Sequence, residues 1–87
     1  MTPELLRCLE TLHFRPHAPE AMKTRVEGVD FVAVLHPLEG LALLWNFADG
    51  RTVASGETFV PATASVQELA AAMLEVLKVC YPGRTDL

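Results

Sequence analysis

A chain of 87 residues has length for one domain around one core, and a domain of that size buries only about 60–65% of the surface its unfolded chain exposes. Half of the residues (51%) are hydrophobic. One small core cannot hide so many, so the surplus is expected on the surface, between subunits or against a partner. The net charge of −4 comes with scattered basic residues (Arg7, Arg15, Lys23, Arg25, Arg51, Lys78, Arg84) and equally scattered acids, so neither a phosphate-binding stripe nor a nucleic-acid mimic is expected. No apolar run approaches the roughly 20 residues of a membrane-spanning helix, and no charged leader precedes an apolar stretch; a cytoplasmic location is the expectation.

Thr2-Pro3-Glu4 opens the first predicted helix, with a hydroxyl N-cap, proline at the first helical position and an acid at the positive end of the dipole. Leu5, Leu6, Leu9 and Leu12, with Cys8 beside them, make its apolar stripe. It is expected to stop near His13, before a loop His13–Pro19 in which two prolines bar a helix. Lys23–Val26, Asp30–His36, Leu41–Ala48 and Arg51–Val60 then read as strands, the first of them short and interrupted at Gly28 by a turn or bulge. Ser65-Val66-Gln67-Glu68 is a capping box that starts a second helix to about Tyr81, stopped by Pro82-Gly83 and followed by a frayed tail. Its buried stripe is Val66, Leu69, Ala70, Met73, Val76, Leu77 and Cys80, and Ala72, Leu74 and Val79 make that side wider than a simple surface helix needs. The predicted fold is a small two-layer α+β domain: N-terminal helix, antiparallel meander sheet of three to four strands, C-terminal helix, both helices on one face.

Register follows from the connections. Asp49-Gly50 as a two-residue type I′ loop pairs Phe47 with Thr52, Trp45 with Ala54 and Leu43 with Gly56; Pro37–Gly40 as a four-residue loop pairs His36 with Leu41, Val34 with Leu43 and Val32 with Trp45. The helix-covered face then holds Val32, Val34, Leu41, Leu43, Trp45 and Phe47. The open face holds Phe31, Ala33, Leu35, Ala42, Leu44, Val53 and Phe59, and a slip of one residue would exchange the two.

Chemical signatures are absent by this reading. His13 and His17 are four apart, but Pro16 denies them the continuous helix on which two imidazoles would share a metal, so no metal or other cofactor is expected. Cys8 and Cys80 lie among leucines and valines, a setting for a neutral packing thiol rather than a nucleophile; whether they touch is open. Ser55-Gly56-Glu57 lacks the glycine pattern of a nucleophile elbow, Gly50 and Gly56 make no phosphate loop, and Asp30, Glu57 and His36 are a triple that any sheet offers. No catalytic residue is assigned.

The helix–three strands–helix order, with Ala54-Ser55-Gly56 followed by an alanine-rich helix, is similar to that of double-stranded RNA-binding domains. Such domains place a lysine cluster at the start of the last helix, where this chain has Ala64-Ser65-Val66-Gln67-Glu68, so RNA binding by that route is not expected. The leading functional expectation is a non-enzymatic interaction module. It would form a homodimer or dock a protein partner through Phe31, Leu35, Leu44, Val53, Phe59 and Leu74, with charges such as Arg51 and Glu57 at the rim. The alternative is a small-molecule binder or small enzyme with an apolar pocket near Trp45, Met73 and His36; nucleic-acid binding is a weaker third.

Overall fold

The computed structural model describes residues 1–38 and 40–84. Helix α1 (Pro3–Thr11) is followed by five strands, β1 (Arg15–Ala18), β2 (Ala21–Val26), β3 (Val29–His36), β4 (Gly40–Asp49) and β5 (Thr52–Val60), and by helix α2 (Val66–Cys80). The strands form one antiparallel meander in sequence order. This is the predicted α+β architecture with five strands in place of three or four. Of the frayed tail expected from Arg84 to Leu87, Arg84 is held by its N–H to the Tyr81 carbonyl at 3.1 Å and by its ion pair with Glu27, and residues 85–87 lie outside those described.

The extra strand is β1, drawn from the segment expected to be a loop. Its one proline, Pro16, does not prevent pairing, because β1 is an edge strand whose outward N–H groups need no partner in the sheet, and a bulge between Pro16 and Ala18 breaks the ladder there. Both helix starts are as the sequence predicts. The Thr2 hydroxyl accepts from the Leu5 N–H at 3.2 Å. At α2 the Glu68 N–H donates to Ser65 Oγ at 3.2 Å and the Ser65 N–H to Glu68 Oε1 at 3.3 Å, completing the capping box.

Two of the hairpins revise the expected register, with different consequences. The β4–β5 loop is Gly50-Arg51 rather than Asp49-Gly50, and only its first residue has a positive φ (59°), the type II′ pattern. Phe47 therefore pairs with Ala54 and Trp45 with Gly56, a shift by two that leaves every side chain of β5 on its expected face. The β3–β4 connection has three residues rather than four, since Gly40 joins β4 at φ 91° and pairs with His36. That change is odd, so it turns β3 over. Phe31 pairs with Trp45 and Ala33 with Leu43, placing both under the helices, while Val32 and Val34 move to the other face.

The third hairpin, β2–β3, turns on Glu27-Gly28, with φ of 52° and 81°, between the paired Val26 and Val29. A glutamate is an unusual choice for a left-handed position, and the chain braces it from a distance. The Tyr81 hydroxyl donates to the Glu27 carbonyl and the Arg84 guanidinium meets the Glu27 carboxylate at 3.2 Å. Tyr81 also sets its ring edge-on to Phe47, centroids 5.1 Å apart. The end of α2 thus holds the β2–β3 turn in place.

Both helices cover one face. Leu5 and Leu9 of α1 and Leu69, Met73, Val76, Leu77 and Cys80 of α2 form one buried cluster with Phe31, Ala33, Leu41, Leu43, Phe47 and Val60 of the sheet. Among the described residues no buried side-chain nitrogen or oxygen lacks a hydrogen-bond partner.

Candidate functional site

With α1 and α2 on one side, the opposite face of the meander is covered by no described element. The pairing lays it out in rows across the strands. One row runs Arg15, Lys23, Val32, Leu44, Glu57 from β1 to β5. The next runs Ala21, Val34, Ala42, Phe59, and the one on the other side Arg25, Asp30, Asn46, Ser55. The centre is apolar and its flanks are charged: basic along β1 and β2, acidic at Glu57 on β5. Leu44 and Phe59 are each 39% exposed and Val53 is 73% exposed, whereas Ala42 between Val34 and Phe59 is almost shut off from water. His36 sets its ring edge-on to Phe59 at 5.6 Å, closing the far end of the patch. Asp30 is neutralised locally by Arg25 at 3.9 Å, while Lys23 and Glu57 have no ion-pair partner among the described residues.

The six residues expected to form an interface fall in different places. Leu44, Val53 and Phe59 lie on the open face. Phe31 does not: it is wholly buried beneath the helices, because the three-residue β3–β4 loop turned its strand over. Leu35 shares the helix side by register, paired with Leu41, but lies at the end of β3 and is 44% exposed. Leu74 is on α2, beside an apolar groove of about 440 Å³ lined by Leu12, Val26, Ala70, Met73 and Leu77. Val32 and Val34 belong to the open face and were assigned to the other by sequence. The signal that could have found them is Gly40, whose left-handed φ shortens the loop by one residue.

The residues considered for a small-molecule pocket do not converge. Met73 lines the groove beside α1, Trp45 lies on the helix side of the sheet with its ring over Gly56, and His36 is at the end of the open face. No three His, Cys, Asp or Glu side chains cluster as metal ligands among the described residues, and no described helix is long and apolar enough to cross a membrane.

Cys8 is partly exposed and Cys80 buried, and both are free thiols. Burial pushes the Cys80 thiol above its ordinary value near 9, since a thiolate in the core would lose its hydration. Alkylation of the folded protein at neutral pH should therefore modify Cys8 rapidly and Cys80 only on unfolding. A thiol whose folded pKa is raised contributes stability that is fully present below the unfolded pKa and is lost as pH rises through the folded value. Denaturation midpoints should accordingly fall above about pH 9, and the fall should be smaller in Cys80→Ala than in the parent; equal slopes would contradict the assignment.

Compared with protein-family models, with curated proteins and with solved structures, the chain matches none significantly. The functional reading rests on the geometry.

Proposed function

We propose that this domain is a non-enzymatic interaction module that docks a protein through the open face of its sheet. One observation carries the reading: Val32, Val34, Leu44 and Phe59 form a contiguous patch on a face that both helices leave bare, with Val53 standing apart beyond the polar Asp30–Asn46–Ser55 row. Isolated apolar side chains are ordinary on protein surfaces, but a contiguous set rimmed by charges is the pattern of an interaction site. Burying the patch would supply the affinity, and the flanking charges would fix orientation.

The apolar groove beside Leu74 favours a second reading, a site for an apolar small molecule between α1 and α2. An environment-sensitive apolar dye, applied at submicromolar protein, separates the two. Under the docking reading Leu44→Lys removes more than half of the dye signal and Leu74→Lys little, with both variants folded by circular dichroism. Loss of signal only in Leu74→Lys would move the site to the groove. A folded parent that binds no dye would leave the patch without adhesive character and sink the docking reading.

A further inference from the structure

We infer that the occupant of the open face is a second copy of this chain, packed sheet to sheet about a two-fold axis that runs along the seam between β3 and β4. The inference rests on the docking reading of that face and names its partner. Its warrant is that the central row is self-complementary. From β2 to β5 it reads Lys23, Val32, Leu44, Glu57: a base, two apolar residues, an acid, with Arg15 of the edge strand β1 left outside the overlap beyond Lys23. A two-fold axis in the plane of the interface, parallel to the strands, reverses this row onto itself. Lys23 of each copy then faces Glu57 of the other, and Val32 faces Leu44. Such an isologous contact makes the same Lys23–Glu57 pair twice with one surface.

The neighbouring row obeys the same operation. Reversed, Ala21, Val34, Ala42, Phe59 sets Phe59 over the alanine of β2 and Val34 over the alanine of β4, large against small. Facing sheets lie about 10 Å apart; with the axis parallel to the central strands these stay aligned across the interface, and because each sheet is twisted the fit is closest at the axis and loosens toward the rim. Lys23 and Glu57 stand one and a half strand spacings from the seam, roughly 7 Å, within reach of their flexible side chains. The third row is already internally paired through Arg25 and Asp30, so it adds no unmatched charge between the copies.

Size sets the strength. The four overlapping strands, β2 to β5, about 4.8 Å apart and each presenting several residues at about 3.4 Å, give a face roughly 20 by 25 Å, or on the order of 1,000 Å² in plan for the two copies. That is near the lower bound of specific interfaces, so a reversible dimer of micromolar affinity is expected rather than an obligate one.

The experiment is sedimentation velocity over a concentration series of the full chain, with Lys23→Glu and Glu57→Lys made singly, mixed in equal amounts, and combined. The parent should show a concentration-dependent dimer. Each single variant places like charges opposite each other at both ends of the row and should weaken the dimer at least tenfold. The equimolar mixture should recover dimer as a heterodimer, and the double variant as a homodimer, because both arrangements restore two opposite-charge contacts. A parent dimer indifferent to both reversals would overturn this geometry. A parent that stays monomeric at high micromolar concentration, while still binding apolar dye through Leu44, would overturn the second copy as occupant and leave the docking reading standing.

Discussion

Replacing Phe31 by alanine should destabilise the domain by about 3–5 kcal/mol, the range for emptying a fully buried aromatic site. Phe31 has no exposed surface; it lies beneath the helices between Thr24 of β2 and Trp45 of β4. Domains of this length have a total stability of roughly 4–13 kcal/mol, so the loss is about a quarter of the whole or more. Thermal unfolding should fall by on the order of 15–30 °C. The measurement also tests the strand register. Shifted by one residue, β3 would present Phe31 to solvent, and truncation there would cost at most about 1 kcal/mol. Leu44→Ala, on the open face one strand over, is the matched control and should fall in that smaller range. Equal effects at the two positions would mean that the faces of β3 are not those described.

Gly40→Ala should cost about 2–4 kcal/mol although it adds one methyl group. Two causes act together. Gly40 has φ 91°, where an L-residue is strained by about 1–2 kcal/mol. Its Cβ would also stand 2.7 Å from the Val60 carbonyl oxygen and 3.1 Å from the Ala62 nitrogen, both backbone atoms that cannot swing aside. Gly50→Ala separates the causes, because Gly50 has φ 59° and open space around it. That variant should lose only about 1–2 kcal/mol, the conformational part alone. Urea denaturation should report both as shifts in midpoint with unchanged slope. If Gly40→Ala cost no more than Gly50→Ala, the close approach of the β3–β4 loop to the end of β5 would be wrong. The same position decides the open face, since the three-residue loop that Gly40 permits is what brings Val32 and Val34 out.

The elements were largely legible because their signals are local. Thr2-Pro3 and the Ser65–Glu68 box name helix starts through hydrogen bonds that close within four residues, and the structure contains those bonds. The 3.6-residue period of α2 correctly marked Leu69, Met73, Val76, Leu77 and Cys80 as buried. Strand β1 was not legible, since prolines argue against a strand until its place at the sheet edge is known. The turn at Gly28 was legible, but not its brace, which comes from Tyr81 and Arg84, more than fifty residues away.

The candidate surface was half legible for a related reason. Leu44, Val53 and Phe59 were placed on the open face from sequence because an error of two in the β4–β5 pairing preserves sidedness. Phe31 and Val32 exchanged roles because an error of one in the β3–β4 pairing does not. The surplus of apolar residues that composition announced is spread over the open face, the end of β3 and the loop after it at Leu35 and Leu38, and the outer side of α2 at Leu74 and Val79. By itself the sequence determined the fold class, both helices, their caps and the presence of more apolar surface than one core hides, because periodicity and capping are properties of neighbours along the chain. Only the tertiary structure decided which side of β3 meets the helices. That depends on one backbone torsion at Gly40 and on whether the loop beside it holds three residues or four.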